Sequence, residues 1–247
     1  MPSPRGDYQA TDLVTPPQIQ ISYYSDVLCI WAYIAERRLE ELARDFGDQI
    51  SIETHFCSVF PDAWGKIAEK WDSRGGFEGF NRHLREVAEN FPHVDVHDEL
   101  WLTTRPRTSA SAHLFLKAVE LIELSEQEPG TTPPPYLDRL STRAAWEVRL
   151  AFFASAQDIS DWRVLREIAE RIGIDYRVVD EKIRSSEAVA RLAVDSALSQ
   201  KNGIAGSPTF VMNDGRQKLF GNVGYRLLEA NVHELLRRTP ENEASWC

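Results

Sequence analysis

Gln18-Ile-Gln-Ile-Ser-Tyr-Tyr-Ser-Asp26-Val-Leu-Cys29-Ile-Trp31 is the stretch on which the reading of this chain turns. Its first eight residues are β-branched and aromatic, alternate at the start, and predict a strand. Over residues 31–46 the apolar positions Ile34, Leu39, Leu42, Ala43 and Phe46 recur at helical spacing, and Gly47 is placed to end the helix. Residues 50–59 predict a second strand. A strand, a helix and a strand joined by a crossover of this length make a βαβ unit, so the two strands are expected to run parallel.

Beyond this unit the pattern becomes helical. Helices are expected over 62–71, 77–91, 108–123, 136–156, 161–172, 175–185 and 187–201, the fifth capped by Ser160 or Asp161. The Pro-rich run 128–135 reads as a rigid loop between helices. Strand character returns at 208–213, turns at Asn213-Asp-Gly215 and continues over 217–220, followed by a last helix over 225–238. Setting aside the helical block leaves βαβ–αββα, the order of a thioredoxin-type sheet. The fold class expected is α/β, a thioredoxin-like mixed sheet with a large all-helical insertion. The domain expectation is a discontinuous thioredoxin-like domain (18–61 and 185–238), a helical insertion (62–184), and flexible tails over 1–17 and 239–247.

Composition limits the partners. The 247 residues carry 28 basic and 38 acidic side chains, a formal net charge of −10. That balance argues against nucleic acid, whose phosphates call for clustered Lys and Arg. No apolar run approaches the ~18 residues of a membrane span, and the first residues lack the apolar stretch of a secretory signal. Three cysteines, Cys29, Cys57 and Cys247, are too few for a disulfide scaffold. Together these features predict a soluble cytoplasmic protein with reduced thiols.

Two segments carry chemistry. Cys29 falls where the first strand gives way to the first helix, so its sulfur is expected to face unpaired N–H groups and the positive end of the helix dipole, which favour thiolate. A small buried residue closing the strand is the alternative. Gly203-Ile-Ala-Gly206-Ser207-Pro208-Thr209-Phe210 leads into the hairpin. Pro208 at the first strand position invites a cis peptide that leaves the Ser207 backbone free for an extended ligand; an ordinary trans proline is the alternative.

These segments, in this element order, resemble the DsbA-like thioredoxin superfamily. The resemblance is to its branches with a large helical insertion: FrnE-like oxidoreductases, kappa-class glutathione transferases and 2-hydroxychromene-2-carboxylate isomerase. Asp26, Cys29 and Trp31 match the FrnE-like Asp-x-x-Cys-Pro-Trp-Cys. Thr108-Ser-Ala-Ser-Ala-His113-Leu resembles a helix start in that group, and Gly203 to Phe210 its cis-proline loop. The resemblance implies Cys29 as nucleophile and Trp31, Ser207, Pro208 and Asn222 as substrate- or glutathione-binding residues. Asp26, Ala32 and His113 become pocket candidates, although a buried histidine facing the sheet is the preferred reading of His113.

Departures from the family narrow the function. Ala32 stands where the second redox cysteine belongs and Ile30 replaces the proline, so no dithiol can form across the motif. The glutathione-using relatives place Ser at the Cys29 position. Ala32-Tyr33 and Leu219-Phe-Gly-Asn222 resemble their side, with Val223 in place of an Asp that helps hold the γ-glutamyl end. The leading expectation is a thiol-dependent oxidoreductase with a single cysteine nucleophile and glutathione or another small thiol or disulfide as substrate. A glutathione-dependent transferase or isomerase and a non-catalytic binding protein are the alternatives, and a homodimer is left open. Cys57 and Cys247 are considered as resolving thiols, and Trp64, Trp71 and Trp101 as a pocket roof or as core. His93, Asp95 and His97 would share one face of an extended segment and could bind zinc or nickel, but a solvated turn is preferred and no metal is expected.

Overall fold

The computed structural model describes residues 19–128, 131 and 133–237. The two tails, Cys247 and the last residue of the expected 225–238 helix lie outside the described residues. Strand β1 (Ile19–Ser25) buries all but Gln20 and Ser22, and it is followed by helix α1 (Ile30–Phe46). Gly47 ends α1 with its φ of 48°, and its N–H bonds the Ala43 carbonyl. A left-handed φ of this kind is open to glycine because it has no Cβ. Strand β2 (Ile50–Phe56) then pairs parallel with β1, from Ile19 opposite Ile50 to Ser25 opposite Phe56.

Seven helices follow: α2 (Ala63–Trp71), α3 (Gly76–Ala88), α4 (Ala110–Ser125), α5 (Leu140–Phe153), α6 (Trp162–Arg171), α7 (Tyr176–Arg184) and α8 (Glu187–Lys201). Asp62, Asp161 and Asp175 cap α2, α6 and α7 by accepting from the N–H groups of Gly65, Arg163 and Arg177. The continuous helix expected over 136–156 is in two pieces. A 3-10 turn, Tyr136–Asp138, precedes an extended Arg139, and α5 starts only at Leu140. Arg139 causes the break: its guanidinium donates to the carbonyls of Pro134 and Ile52, a long-range tie that holds it out of the helix.

Strands β3 (Thr209–Met212) and β4 (Gln217–Phe220) form the hairpin, with Asn213 and Asp214 both at positive φ in the turn. Helix α9 (Tyr225–Leu236) ends the described chain. The sheet order is β2-β1-β3-β4, with β3 antiparallel to both neighbours. The fold is thioredoxin-like, a mixed sheet with a helical insertion.

One face of the sheet packs on α1 and α9 through Ile21, Tyr23, Leu39, Phe210 and Val232. A larger core joins the start of α1 to the helical block, through Val27, Cys29, Tyr33, Phe56, Phe115 and Phe152. Apolar packing therefore runs unbroken across residue 62. This topology brings three chain segments to one end of the sheet: the β1–α1 junction, the entry into β3, and the exit from β4.

Candidate active site

The carboxylate of Asp26 organises the β1–α1 junction. It is fully buried and accepts from the N–H groups of Leu28 (2.9 Å), Val59 (2.9 Å) and Phe60 (2.9 Å) and from Ser109 Oγ (2.8 Å). One side chain thus pins the α1 entry to the segment after β2 and to the start of α4. The Asp26 N–H donates in turn to Ser207 Oγ at 2.9 Å, and the Cys29 N–H to the Asp26 carbonyl at 3.0 Å. This closes the turn from which the thiol projects.

Cys29 is the N-cap residue of α1, and its thiol donates to the Ser207 carbonyl at 3.2 Å. The Ser207–Pro208 peptide is cis. The thiol is only 7% exposed. Burial pushes its pKa above the ordinary thiol value, while contacts with Ser207 and the N–H groups of Ala32 and Trp31 pull the other way. This corrects the sequence expectation of a resting thiolate. The helix start favours the anion, but excluding water from the sulfur costs more than the N–H groups return.

Trp31 is half-buried and meets the edge of Phe91 at a centroid distance of 6.2 Å. Ala32 is fully buried. His113 is buried against Phe56, ring on ring at 4.8 Å, and its Nε2 accepts from the Val27 N–H at 3.3 Å. Burial lowers its pKa, so the imidazole is neutral. The 3.8 Å between its Nε2 and Asp26 Oδ1 is therefore a close approach and not an ion pair. With Nε2 engaged, His113 is not poised to take a proton from Cys29.

Asn222 does not touch the thiol. Its Oδ1 accepts from Arg38 Nη1 at 2.7 Å, and the neighbouring Gly221 N–H bonds the Pro208 carbonyl at 2.9 Å. Trp101 is fully buried, Trp71 half-buried and Trp64 exposed, so Trp101 is core. Cys57 packs with Tyr24 and Val211 in a separate small cluster, and both described cysteines are free thiols. Residues 92–98 run as turn, bend and irregular backbone and include no strand. His93 Nε2 lies against the Ile34 carbonyl, and His97 Nδ1 accepts from the Glu99 N–H. Among the described residues no three metal-binding side chains are grouped.

Two buried charge networks escaped the sequence reading. Arg149, with no exposed surface, donates to Ser25 Oγ (2.6 Å) and pairs with Glu36 (3.2 Å), whose other oxygen accepts from Tyr136. On the opposite face of the sheet Asp195 holds Lys117 (2.9 Å), His55 Nδ1 (2.9 Å) and the Phe56 N–H (2.7 Å). The signal was present: Lys117 and Arg149 interrupt apolar helix stretches, where a charge must find a buried partner. A cavity of about 250 Å3, lined by Ile52, Leu116, Glu120, Tyr136 and Arg139, lies away from Cys29.

Comparison with known proteins agrees with this architecture. A DsbA-like thioredoxin domain model matches residues 138–233, a stretch that begins beyond Cys29. No curated protein matches the sequence. The cytosolic disulfide reductase DsbM from Pseudomonas aeruginosa, solved with GSH, is similar in structure, at 19% identity and a TM-score of 0.60. That match covers 87% of this chain and 99% of the other. A probable DsbA oxidoreductase from Streptomyces coelicolor gives 15% identity and a TM-score of 0.67, covering 92% and 94%. For 2-hydroxychromene-2-carboxylate isomerase the values are 16% and 0.58, covering 87% and 95%. At these identities the likeness is one of fold.

Proposed function

Starting from a chain that carries a DsbA-like thioredoxin domain, we propose that it is a thiol–disulfide oxidoreductase acting through Cys29 alone on a small thiol or disulfide such as glutathione. The supporting observation is the 3.2 Å contact between Cys29 Sγ and the Ser207 carbonyl. It sets the one thiol of the β1–α1 junction against the backbone that enters β3, with Asp26 fixing both sides.

Each residue contributes a separate part. Asp26 holds the turn and, through its N–H, the Ser207 hydroxyl. Cys29 attacks one sulfur of a disulfide R–S–S–R. A Cys29–S–S–R bond forms, the other sulfur leaves as thiolate, and the Cys29 proton passes to that thiolate or to water. Ala32 offers no second thiol, so an external thiol R′–SH must attack the mixed disulfide and restore Cys29. Burial keeps the resting thiol protonated, so Cys29 must lose its proton as it attacks, and the Ser207 contact and the N–H groups of Ala32 and Trp31 favour the anion that forms. Such a protein would work where free thiols are abundant, which fits a cytoplasmic setting.

Mass spectrometry after incubation with oxidised glutathione tests the reading. A glutathione adduct on the Cys29 peptide, released by excess thiol, is the expected result. Absence of any adduct on Cys29, with glutathione disulfide and with smaller disulfides alike, would overturn it.

A further inference from the structure

The stripe of α1 that starts beside the thiol ends at Arg38, a cation in no ion pair among the described residues. Trp31 and Arg38 lie seven residues apart, two helical turns, on one side of α1. Phe91 bridges them, its ring meeting Trp31 at 6.2 Å and lying 5.8 Å from the Arg38 guanidinium carbon. Arg38 Nη1 donates to Asn222 Oδ1 (2.7 Å) and to the Val223 carbonyl (2.8 Å). The same turn is tied to the site by the Gly221–Pro208 hydrogen bond. Contacts therefore run without a gap from Cys29 through Ser207, Pro208 and the Gly221–Val223 turn to Arg38.

Arg38 is half-buried, and burial lowers its pKa, yet no carboxylate lies within 4 Å of it among the described residues. Nη1 is occupied by neutral oxygens, whereas Nε and Nη2 have no hydrogen-bond partner among the described residues. Nor are they sealed from solvent. Those two groups form the side-on fork that matches a carboxylate. The partners the guanidinium has, Asn222 Oδ1, the Val223 carbonyl and the Phe91 ring, are neutral and leave its positive charge in place, so an ammonium brought beside it is repelled.

From this we infer that Arg38 is a specificity residue: it anchors the carboxylate tail of the thiol or disulfide that reacts at Cys29, and it disfavours an ammonium beside that carboxylate. The inference deepens the reading of Cys29 as the reacting thiol and rests on it. Positions 29 and 38 are separated by about 13 Å of helix rise, and side chains lean toward the helix N-terminus, so a tail of several carbons spans the gap. Glutathione would enter with its glycyl carboxylate, and not its zwitterionic γ-glutamyl end, toward Arg38.

The test compares Cys29 modification by the symmetrical disulfides of 6-mercaptohexanoate and 6-mercaptohexanol, followed by peptide mass spectrometry. The wild-type protein is expected to react at least tenfold faster with the acid. Arg38→Gln should bring the ratio to within twofold of one, and Arg38→Lys should keep most of the preference. A ratio near one in the wild type, or one unchanged by Arg38→Gln, would overturn the inference while leaving the reactivity of Cys29 intact. If Cys29 reacts with neither disulfide, the oxidoreductase reading fails by itself. Calorimetric binding of 6-mercaptohexanoate to wild type and to Arg38→Gln then decides the anchor, a common affinity or no binding to either overturning it. If Arg38→Gln does not fold, the salt dependence of the wild-type ratio serves instead. It should collapse at 1 M salt, where the screening length is about 3 Å, and a salt-independent ratio would count against the anchor.

Discussion

Cys29 and Cys57 follow neighbouring parallel strands and are equally shielded, at 7% and 6% exposure, yet their surroundings differ in kind. Cys57 sits in an apolar cluster with Tyr24 and Val211, and its N–H bonds the Ser25 carbonyl, one step beyond the end of the ladder. Burial and then the carboxylate of Asp26 push its thiol up to about 12. Burial raises Cys29 as well, but there Ser207 and the N–H groups of α1 oppose the shift. Exposure does not separate the two thiols. What separates them is whether polar groups stand ready to take up charge on the sulfur, and the helix start supplies these only at Cys29.

The largest effect that could break this comparison is on reactivity. Cys29→Ser should abolish adduct formation with a small disulfide, a loss of at least ~100-fold by the thiolate dependence of exchange. Cys57→Ser should leave the rate within about twofold by the same dependence. Peptide mass spectrometry assigns the adduct. Modification of Cys57 in the Cys29→Ser protein at the wild-type rate would erase the distinction.

Next comes the aspartate beside each thiol. Asp26 accepts from four donors, of which the Leu28 and Phe60 N–H groups have no other acceptor among the described residues, so Asp26→Ala should cost about 3–5 kcal/mol, the range for breaking a buried charge's set of partners. Asp195→Ala strips the Phe56 N–H, His55 and Lys117 of a partner but leaves Lys117 with Glu120 at 2.6 Å, so its cost should fall toward the lower end of that range. Urea unfolding measures both. A smaller cost for Asp26→Ala than for Asp195→Ala would place the main structural tie on the Cys57 side of the sheet.

A third change sharpens the Cys29 side. Ala32 has no exposed surface and lies one helical turn into α1. Ala32→Cys should form a reducible intramolecular disulfide with Cys29 under mild oxidation. The reduced variant should lose about 1–3 kcal/mol to overpacking. Thiol counting before and after oxidation checks the first point, and urea unfolding the second. Two thiols that stay free would mean that the β1–α1 junction lacks the geometry assigned to it.

Much of this corner was legible in the sequence. Alternation at the start of 18–25 and helical spacing over 31–46 placed Cys29 at a strand–helix junction, and Asp161 was one of two caps named for α6. Depth was not legible. The sequence showed a cysteine at a helix start but not the buried core, shared with Val27, Phe56 and Phe115, that takes it out of water, so the sign of its pKa shift came out reversed. Long-range ties were hidden too. Nothing local indicates that Arg139 reaches Ile52 and breaks a helix, or that Arg38 and Asn222 meet across 184 positions.

The smallest effect tests whether the Cys29 corner carries its own dependence on pH. Burial holds the pKa of His113 below its ordinary value of 6.5. The unfolded chain, titrating near 6.5, therefore binds a proton at a pH where the folded protein still resists one. Folding stability from this group is complete above about 6.5 and is lost as pH falls from there through the depressed folded value. His83 is lowered as well, also mainly by burial, so the wild-type slope contains both histidines. His113→Asn should lower stability at pH 7.5, because the Val27 N–H loses its acceptor, and should flatten the fall in stability from pH 7 to 5. His83→Gln should remove only the smaller share expected of a less buried ring. Urea midpoints at several pH values supply the comparison. A His113→Asn slope identical to wild type would mean that His113 binds its proton equally in the folded and unfolded chain, and the neutral, non-basic role assigned to it beside Cys29 would be wrong.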